Sequence, residues 1–217
     1  MKLSKLLALA AATLGLAAFT AAAQQQNYAK LEPQQPTDGS GKIEVIEFFW
    51  YGCPHCYALE PELVAWLKKL PPDVEFKRVP APMGGWQEGA KIYYTLEVMG
   101  VLPQYHEKVF DAIHKEQVNL FNARQREQWL SKNGIDPAKY AAAEKSFSVD
   151  TRLKRAMQLA QQYKLDGVPR IVVAGKYYTS SEQAGGAAKV FPVVDQLIDM
   201  VRKEQAAGHA APAPAKK

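Results

Sequence analysis

The stretch Ile43-Glu44-Val45-Ile46-Glu47-Phe48-Phe49-Trp50-Tyr51-Gly52-Cys53-Pro54-His55-Cys56 decides the fold. Its first eight residues are rich in β-branched and aromatic side chains, which predicts a strand from Ile43 to Trp50. Beyond it, Leu59, Leu63, Trp66, Leu67 and Leu70 recur at helical spacing over Pro54 to Leu70. Pro54 suits the first helical position, Pro71-Pro72 ends the pattern, and Pro61 is expected to kink the helix by removing a backbone donor. A second strand is predicted from Val74 to Val79, so the three elements form a βαβ unit with a parallel pair. Both cysteines of the 217-residue chain fall at the junction of strand and helix.

That position matters more than the four letters Cys53-Pro54-His55-Cys56. A helix N-terminus offers free amide donors and roughly half a positive charge. A cysteine there gains stabilisation of its thiolate, so the Cys53 pKa is expected well below the free value of about 8.5. His55 adds a dipole or partial charge near the same sulfur. A depression of about three units would favour the reduced form by about 4 kcal/mol and make the disulfide oxidising. Cys56, one turn deeper, is expected to be less exposed and to act as the resolving thiol, while Pro54 supplies rigidity. Two other readings stand beside redox chemistry. An inert bridge closing four residues would remove little unfolded-state entropy. A metal site could recruit His106 and His114, eight residues apart on one predicted helix.

Outward from the junction the chain changes character. Between Trp86 and Phe147 only helical patterns occur: Tyr105, Val109, Ala112 and Ile113 follow the helical period. Asn122 with Gln125 resembles a capping box, Gly134 is placed to close that helix, and Asp136-Pro137 opens the next. A long helix follows with Val149, Leu153, Ala156, Met157, Ala160 and Tyr163 on one face. Arg170 to Ala174 and Lys176 to Thr179 then form a predicted hairpin about Gly175. A final helix is expected to open at Pro192, with Val190, Val194, Leu197, Ile198 and Val201 on one stripe. The economical reading is an α/β domain, residues 42–85 and 149–205, interrupted by a helical insertion over 86–148.

Residues 1–23 read as a secretory signal peptide: Lys2 and Lys5, an apolar run from Leu6 to Phe19, and cleavage near Ala23. A membrane anchor is the weaker alternative, because the run falls short of the roughly 20 residues a span needs. Cleavage leaves 194 residues and lowers the net charge from +5 to +3, with both signs interspersed, which argues against nucleic-acid binding. Residues 24–41 read as an irregular, loosely attached polar lead-in, and 206–217 as a disordered Ala/Pro/Lys tail. Two cysteines exclude a multiply stapled scaffold and a four-cysteine zinc ribbon. An exported protein long enough to need no staple has its two cysteines free for chemistry.

Two further signals accompany the cysteines. Gly167-Val168-Pro169 directly precedes the Ile171 strand, and a proline starting a strand after such a turn is a candidate cis peptide. Glu47 interrupts the apolar first strand. It is either a carboxylate turned to water or a buried acid of raised pKa that moves protons during thiol exchange, with Lys77 on the neighbouring strand as its partner.

With these residues in hand, the chain resembles the thioredoxin superfamily, and within it the DsbA family of periplasmic thiol:disulfide oxidoreductases. The run Val45 to Tyr57, Met83-Gly84-Gly85, and Gly167-Val168-Pro169 followed by Val173-Ala174-Gly175-Lys176-Tyr177 match in order and spacing, and the resemblance covers Ile43 to Lys203. It implies a thioredoxin-like α/β fold with an all-helical insertion domain. It also implies that Cys53 is the nucleophile of the mixed disulfide and Cys56 its resolving partner. Val168 and Pro169 would hold extended substrate backbone, and Glu47 with Lys77 would form the buried charged pair beneath the Cys53–Cys56 disulfide. That disulfide would be the redox cofactor, with no metal, nucleotide or flavin. The implied partners are reduced, unfolded exported proteins and a DsbB-like membrane quinone reductase, the chain itself being a monomer in the periplasm. A reductase or isomerase of the same fold, and a redox-silent binding or chaperone module, are the rival functions. The Ala/Pro-rich tail and Pro61 depart from the pattern without touching its active-site residues.

Overall fold

The computed structural model describes residues 26–39 and 41–210, so the expected signal peptide and its cleavage site near Ala23 lie outside the described residues. The sheet contains β1 (Ala29–Lys30), β2 (Ile43–Phe49), β3 (Val74–Pro80), β4 (Arg170–Val173) and β5 (Tyr177–Thr179), in the order β1-β5-β4-β2-β3. β2 lies between β3, to which it is parallel, and β4, to which it is antiparallel, and all seven of its residues are buried. The βαβ unit is therefore present, its crossover being α1 (Pro54–Leu67), which runs through Pro61 as a single helix.

Helices cover both faces of this sheet. Leu59, Leu63 and Trp66 of α1 pack with Val190, Val194, Leu197 and Ile198 of α8 (Ala187–Ala210) over Ile43, Val45, Ile171 and Val173. On the other face, Ile46 and Phe48 meet residues of α2 (Gln87–Val98), α3 (Leu102–His114) and α6 (Phe147–Gln162), with Phe48 and Tyr163 rings 5.2 Å apart. α4 (Ala123–Lys132) and α5 (Pro137–Glu144) complete the helical stretch between β3 and β4, and the one-turn α7 (Ser181–Ala184) lies between β5 and α8.

Local signals place these helix ends. Asn122 caps α4 by accepting from Arg124 N and Gln125 N, but the reciprocal half of a capping box is redirected, since Gln125 Oε1 accepts from Asn119 N instead. At the other end Ile135 N bonds Leu130 O and Gly134 N bonds Ser131 O, the paired bonds of a Schellman closure, with Gly134 at φ 79°. Asp136 caps α5 through Ala138 N and Lys139 N, ahead of Pro137.

Three expectations are corrected. The lead-in is not loose: β1 pairs with Tyr177 and Tyr178, Leu31 N donates to Lys176 O, Gln35 N donates to Gly175 O, and Thr179 Oγ1 donates to Asn27 O. This backbone satisfies the edge of β5, which would otherwise be bare. The final helix opens at Ala187, five residues before Pro192, because Val190 and Phe191 are themselves buried and Phe191 stacks on Trp66 at 5.1 Å. That burial outweighs the one donor that Pro192 lacks. The tail is not irregular from 206: α8 continues to Ala210, as the high helix propensity of Ala206-Ala207 allows, and residues 211–217 lie outside the described residues.

The β4–β5 hairpin turns at Ala174 and Gly175, with φ of 52° and 62°, and Lys176 N closes the turn on Val173 O. Glycine is needed there twice over. The left-handed φ favours it, and a Cβ would lie 2.2 Å from Gln35 O of the lead-in that crosses the turn.

Candidate active site

The carboxyl end of β2 delivers Cys53 to the N-cap of α1 with extended backbone (φ −87°, ψ 116°), and its Sγ accepts from Cys56 N at 3.3 Å. Pro54 takes the first helical position, Pro54 and His55 are exposed, and Cys56 is fully buried. Both cysteines are free thiols, so the site is in its dithiol form. Their acidities diverge. Cys53 is lowered to about 6, first by the hydrogen bond from the Cys56 thiol. Burial opposes this, the backbone N–H groups of Cys56 and His55 add to it, and the His55 charge contributes least. Cys56 is pushed well above the ordinary thiol range by burial and by giving its hydrogen to Cys53. The expected low pKa is there, but its main source is the partner thiol, with the expected helix-end amides and His55 charge contributing less.

Val168–Pro169 is a cis peptide, as the Gly-Val-Pro pattern predicted, and the Cys53 thiol donates to Val168 O at 3.4 Å. Two segments 115 residues apart in sequence thus meet at the reactive sulfur. Beside them runs a groove of about 700 Å³, lined by His55, Ala58, Val168, Pro169, Arg170 and Tyr178 among others. Arg170, which opens β4, holds the loop before the proline: it donates to Tyr163 O and Lys164 O, pairs with Asp166, and lies over the Tyr178 ring at 4.4 Å.

Beneath the cysteines lies a buried polar cluster. Glu47 is fully buried, and its carboxyl is raised to about 8, first by burial, against the opposing charge of Arg78. Arg78 Nε lies 3.1 Å from Glu47 Oε2, but out of line for a hydrogen bond, whereas Arg78 Nη2 donates to Glu60 Oε2 at 2.8 Å. Burial alone would raise Glu60, yet His106 and Arg78 more than offset it and hold its carboxyl below the usual range. At neutral pH the cluster therefore contains one ion pair, Arg78⁺ with Glu60⁻, beside a protonated Glu47.

Lys77 is not the partner of Glu47. In the parallel register Lys77 lies beside Ile46 and Arg78 beside Glu47, so the two basic neighbours emerge on opposite faces of the sheet. Lys77 Nζ binds Glu44 Oε2 at 2.8 Å and Asp38. Arg78 and Glu60 are not singled out by the sequence, and His106 stands there only as a possible metal ligand. Strand alternation carried to the parallel partner would have selected Arg78, and Glu60 sits two helical turns after Cys53. His106 and His114 are engaged elsewhere than with each other: both bond Tyr51, through its OH and its backbone O respectively, each at 2.8 Å. Among the described residues no group of three or more His, Cys, Asp or Glu side chains could hold a metal ion.

This arrangement has known counterparts. The thiol:disulfide interchange protein DsbA of Azotobacter vinelandii is 44% identical over 181 residues, spanning 83% of this chain and 85% of that protein. An alignment of that span begins no later than about residue 38 and so includes both cysteines. This chain belongs to the DsbA family. A family model described as a DSBA-like thioredoxin domain matches residues 73–197, and DsbA of Bordetella parapertussis is 44% identical over 90% of this chain and 94% of its own. The crystal structure of Pseudomonas aeruginosa DsbA superposes with a TM-score of 0.77 at 42% identity, covering 85% of this chain and 95% of that one. As a DsbA-family member the chain has the thioredoxin-like α/β fold with a helical insertion, and it is a thiol:disulfide oxidoreductase.

Proposed function

We propose that this enzyme is a periplasmic oxidase that donates its Cys53–Cys56 disulfide to reduced, unfolded exported proteins. The observation that carries the direction is the opposite displacement of the two thiols, Cys53 down to about 6 and Cys56 well up. A stabilised Cys53 thiolate favours the reduced enzyme and so makes its disulfide a better oxidant. At pH 7 a fall from 9 to about 6 is worth about 1.4 kcal/mol, equivalent to about 30 mV; the full three units, about 4 kcal/mol, are reached only above pH 9.

In the first step a substrate thiolate attacks Cys53 Sγ of the disulfide. The Cys53–Cys56 bond breaks, the substrate–Cys53 bond forms, and Cys56 takes the electron pair. Cys56 leaves as a thiol, which requires a proton; the buried Glu47 carboxyl, still protonated at neutral pH and close enough for its charge to act on Cys56, would supply it. The second substrate thiolate then attacks the substrate sulfur of the mixed disulfide, and Cys53 departs as its stabilised thiolate. The substrate gains a disulfide, and two electrons remain on the enzyme as the dithiol. The Val168 carbonyl and Pro169 border the groove where extended substrate backbone would lie beside Cys53. Arg78 takes the role expected of Lys77, holding charge opposite Glu47.

A DsbB-like membrane quinone reductase would remove the two electrons and restore the bridge, the pair itself serving as the redox cofactor. The mature chain would act as a monomer after cleavage near Ala23. Its thioredoxin-like part would take residues 42–85 and 149–205, and its insertion 86–148. The test of the activated thiolate is the pH dependence of alkylation in the reduced protein. Cys53 is expected to titrate with a midpoint near pH 6, while Cys56 stays unreactive through pH 9. A midpoint near the free value of about 8.5 would remove the basis of the oxidase reading.

A further inference from the structure

The residues just before the reactive cysteine form a four-residue turn, Trp50-Tyr51-Gly52-Cys53, closed by Cys53 N donating to Trp50 O at 3.0 Å. In such a turn the central peptide, here between Tyr51 and Gly52, has no partner inside the turn. Its flip interconverts two turn types, and the flipped form needs positive φ at the third residue, which glycine takes freely. Gly52 is not in the positive region, so one of the two states is present. Nor can the sequence block the flip with a side chain at 52. A Cβ there would lie 2.4 Å from Trp50 Cζ2, and the Trp50 ring cannot retreat, being stacked between Trp86 at 5.0 Å and Phe121 at 5.6 Å.

The choice is made from α3. His114 Nε2 lies 2.8 Å from the Tyr51 carbonyl; a carbonyl only accepts, so this nitrogen carries the hydrogen and donates. The imidazole is itself held in place. It stacks on Tyr57 with centroids 4.7 Å apart and planes 6° apart, and the Tyr57 hydroxyl donates to Asp111 Oδ1 at 2.8 Å. Two turns earlier on α3, His106 Nδ1 meets the Tyr51 hydroxyl at 2.8 Å, so one helix grips Tyr51 at both ends.

We propose that His114 is a positioning residue for thiol exchange: its hydrogen bond to the Tyr51 carbonyl selects one of the two turn states that Gly52 leaves open, and so aims the Cys53 sulfur. The inference rests on the reading that Cys53 is the attacked sulfur. A flip would reverse the Tyr51 carbonyl and reorient Gly52, which feeds Cys53 into its capping position at α1.

The test compares His114→Phe, which keeps the ring stack on Tyr57 and loses the donor, with His114→Gln, whose side-chain amide can donate. Three quantities are read on the full-length protein: the second-order rate of the oxidised enzyme with a reduced dithiol peptide, the Gly52 amide signal in a nitrogen–proton NMR spectrum, and thermal unfolding. His114→Phe is expected to slow the reaction about tenfold, the effect of one lost hydrogen bond, and to shift or split the Gly52 signal. His114→Gln is expected to recover the rate to within about threefold and to restore a single signal near the parent position. An unchanged rate with an unmoved Gly52 signal in His114→Phe would overturn the proposal. Equal losses of rate in both variants, in step with lowered unfolding temperatures, would overturn it too, by showing that His114 only packs. If His114→Phe does not fold, His114→Leu gives the same comparison. The Gly52 signal reports the turn whichever way electrons flow, so its failure is distinguishable from failure of the oxidase reading.

Discussion

Cys53→Ala is expected to abolish thiol–disulfide exchange and leave the fold intact, whereas Cys56→Ala is expected to stall exchange at the mixed disulfide. The two cysteines differ in kind: Cys53 is the N-cap whose sulfur meets Val168 O and the groove, and Cys56 is fully buried behind it. Without Cys53 no sulfur remains where substrate could attack. Without Cys56 a reduced Cys53 still has its capping position and still captures disulfide reagents, but no neighbour releases the adduct. Stability depends little on either. The Cys53 side chain accepts one helix-end donor, from Cys56 N, and losing such a cap costs about 1 kcal/mol, or about 2–4 °C in a chain of this size. The measurements are the rate of oxidation of a reduced dithiol peptide, the yield of mixed disulfide on non-reducing gels, and the unfolding temperature. No exchange by the parent protein under the same conditions, with its function in the cell surviving Cys53→Ala, would leave only the redox-silent binding module.

Arg78→Met is expected to destabilise the protein by about 3–5 kcal/mol at pH 7, the cost of removing one partner of a buried pair. Arg78 is the cation of the cluster, and its loss strands the Glu60 carboxylate, which is held below the usual range partly by Arg78 itself. Glu60→Gln added to Arg78→Met should return part of the loss. Glu47 behaves oppositely. Its folded pKa of about 8 exceeds the ordinary 4.5, so the folded state holds this proton more tightly between those values. The contribution to stability is therefore fully present below pH 4.5 and is lost as pH rises through 8. Glu47→Gln should accordingly match the parent near pH 4 and exceed it increasingly up to pH 9 in urea unfolding. A cost below about 1 kcal/mol for Arg78→Met, or a stability gain for Glu47→Gln that shrinks as pH rises, would contradict this charge assignment.

The contrast between Lys77 and Arg78 marks where sequence reading stops. Local signals sufficed wherever one residue governs one feature: the strand-to-helix junction at Cys53, the caps at Asn122 and Asp136, and the turn at Gly175; the cis peptide before Pro169 is only a local candidate, which the distant cysteine motif strengthens. Lys77 and Arg78 are chemically alike and adjacent, and only the register with β2 decides which faces Glu47. His106 and His114 gave an eight-residue spacing that suits metal ligands as well as any other partner. What they bind depends on where α3 packs against Tyr51, which no short window encodes. The ends of α8 lie beyond both sequence signals because buried Val190 and Phe191 outweigh one proline, and Ala206-Ala207 continue a helix without needing a core. The lead-in looked polar and loose because its anchoring runs through backbone atoms, to which side-chain composition is blind.

Equilibration of the enzyme with defined ratios of reduced and oxidised glutathione at pH 7 tests the oxidase assignment most directly. The expected result is a Cys53–Cys56 pair that is reduced even where glutathione is largely oxidised. Its potential should exceed that of an ordinary dithiol increasingly as pH rises from 6 to 9, as the lowered Cys53 pKa requires. A pair that keeps its disulfide while glutathione is mostly reduced would be as reducing as a thioredoxin's, and would contradict it.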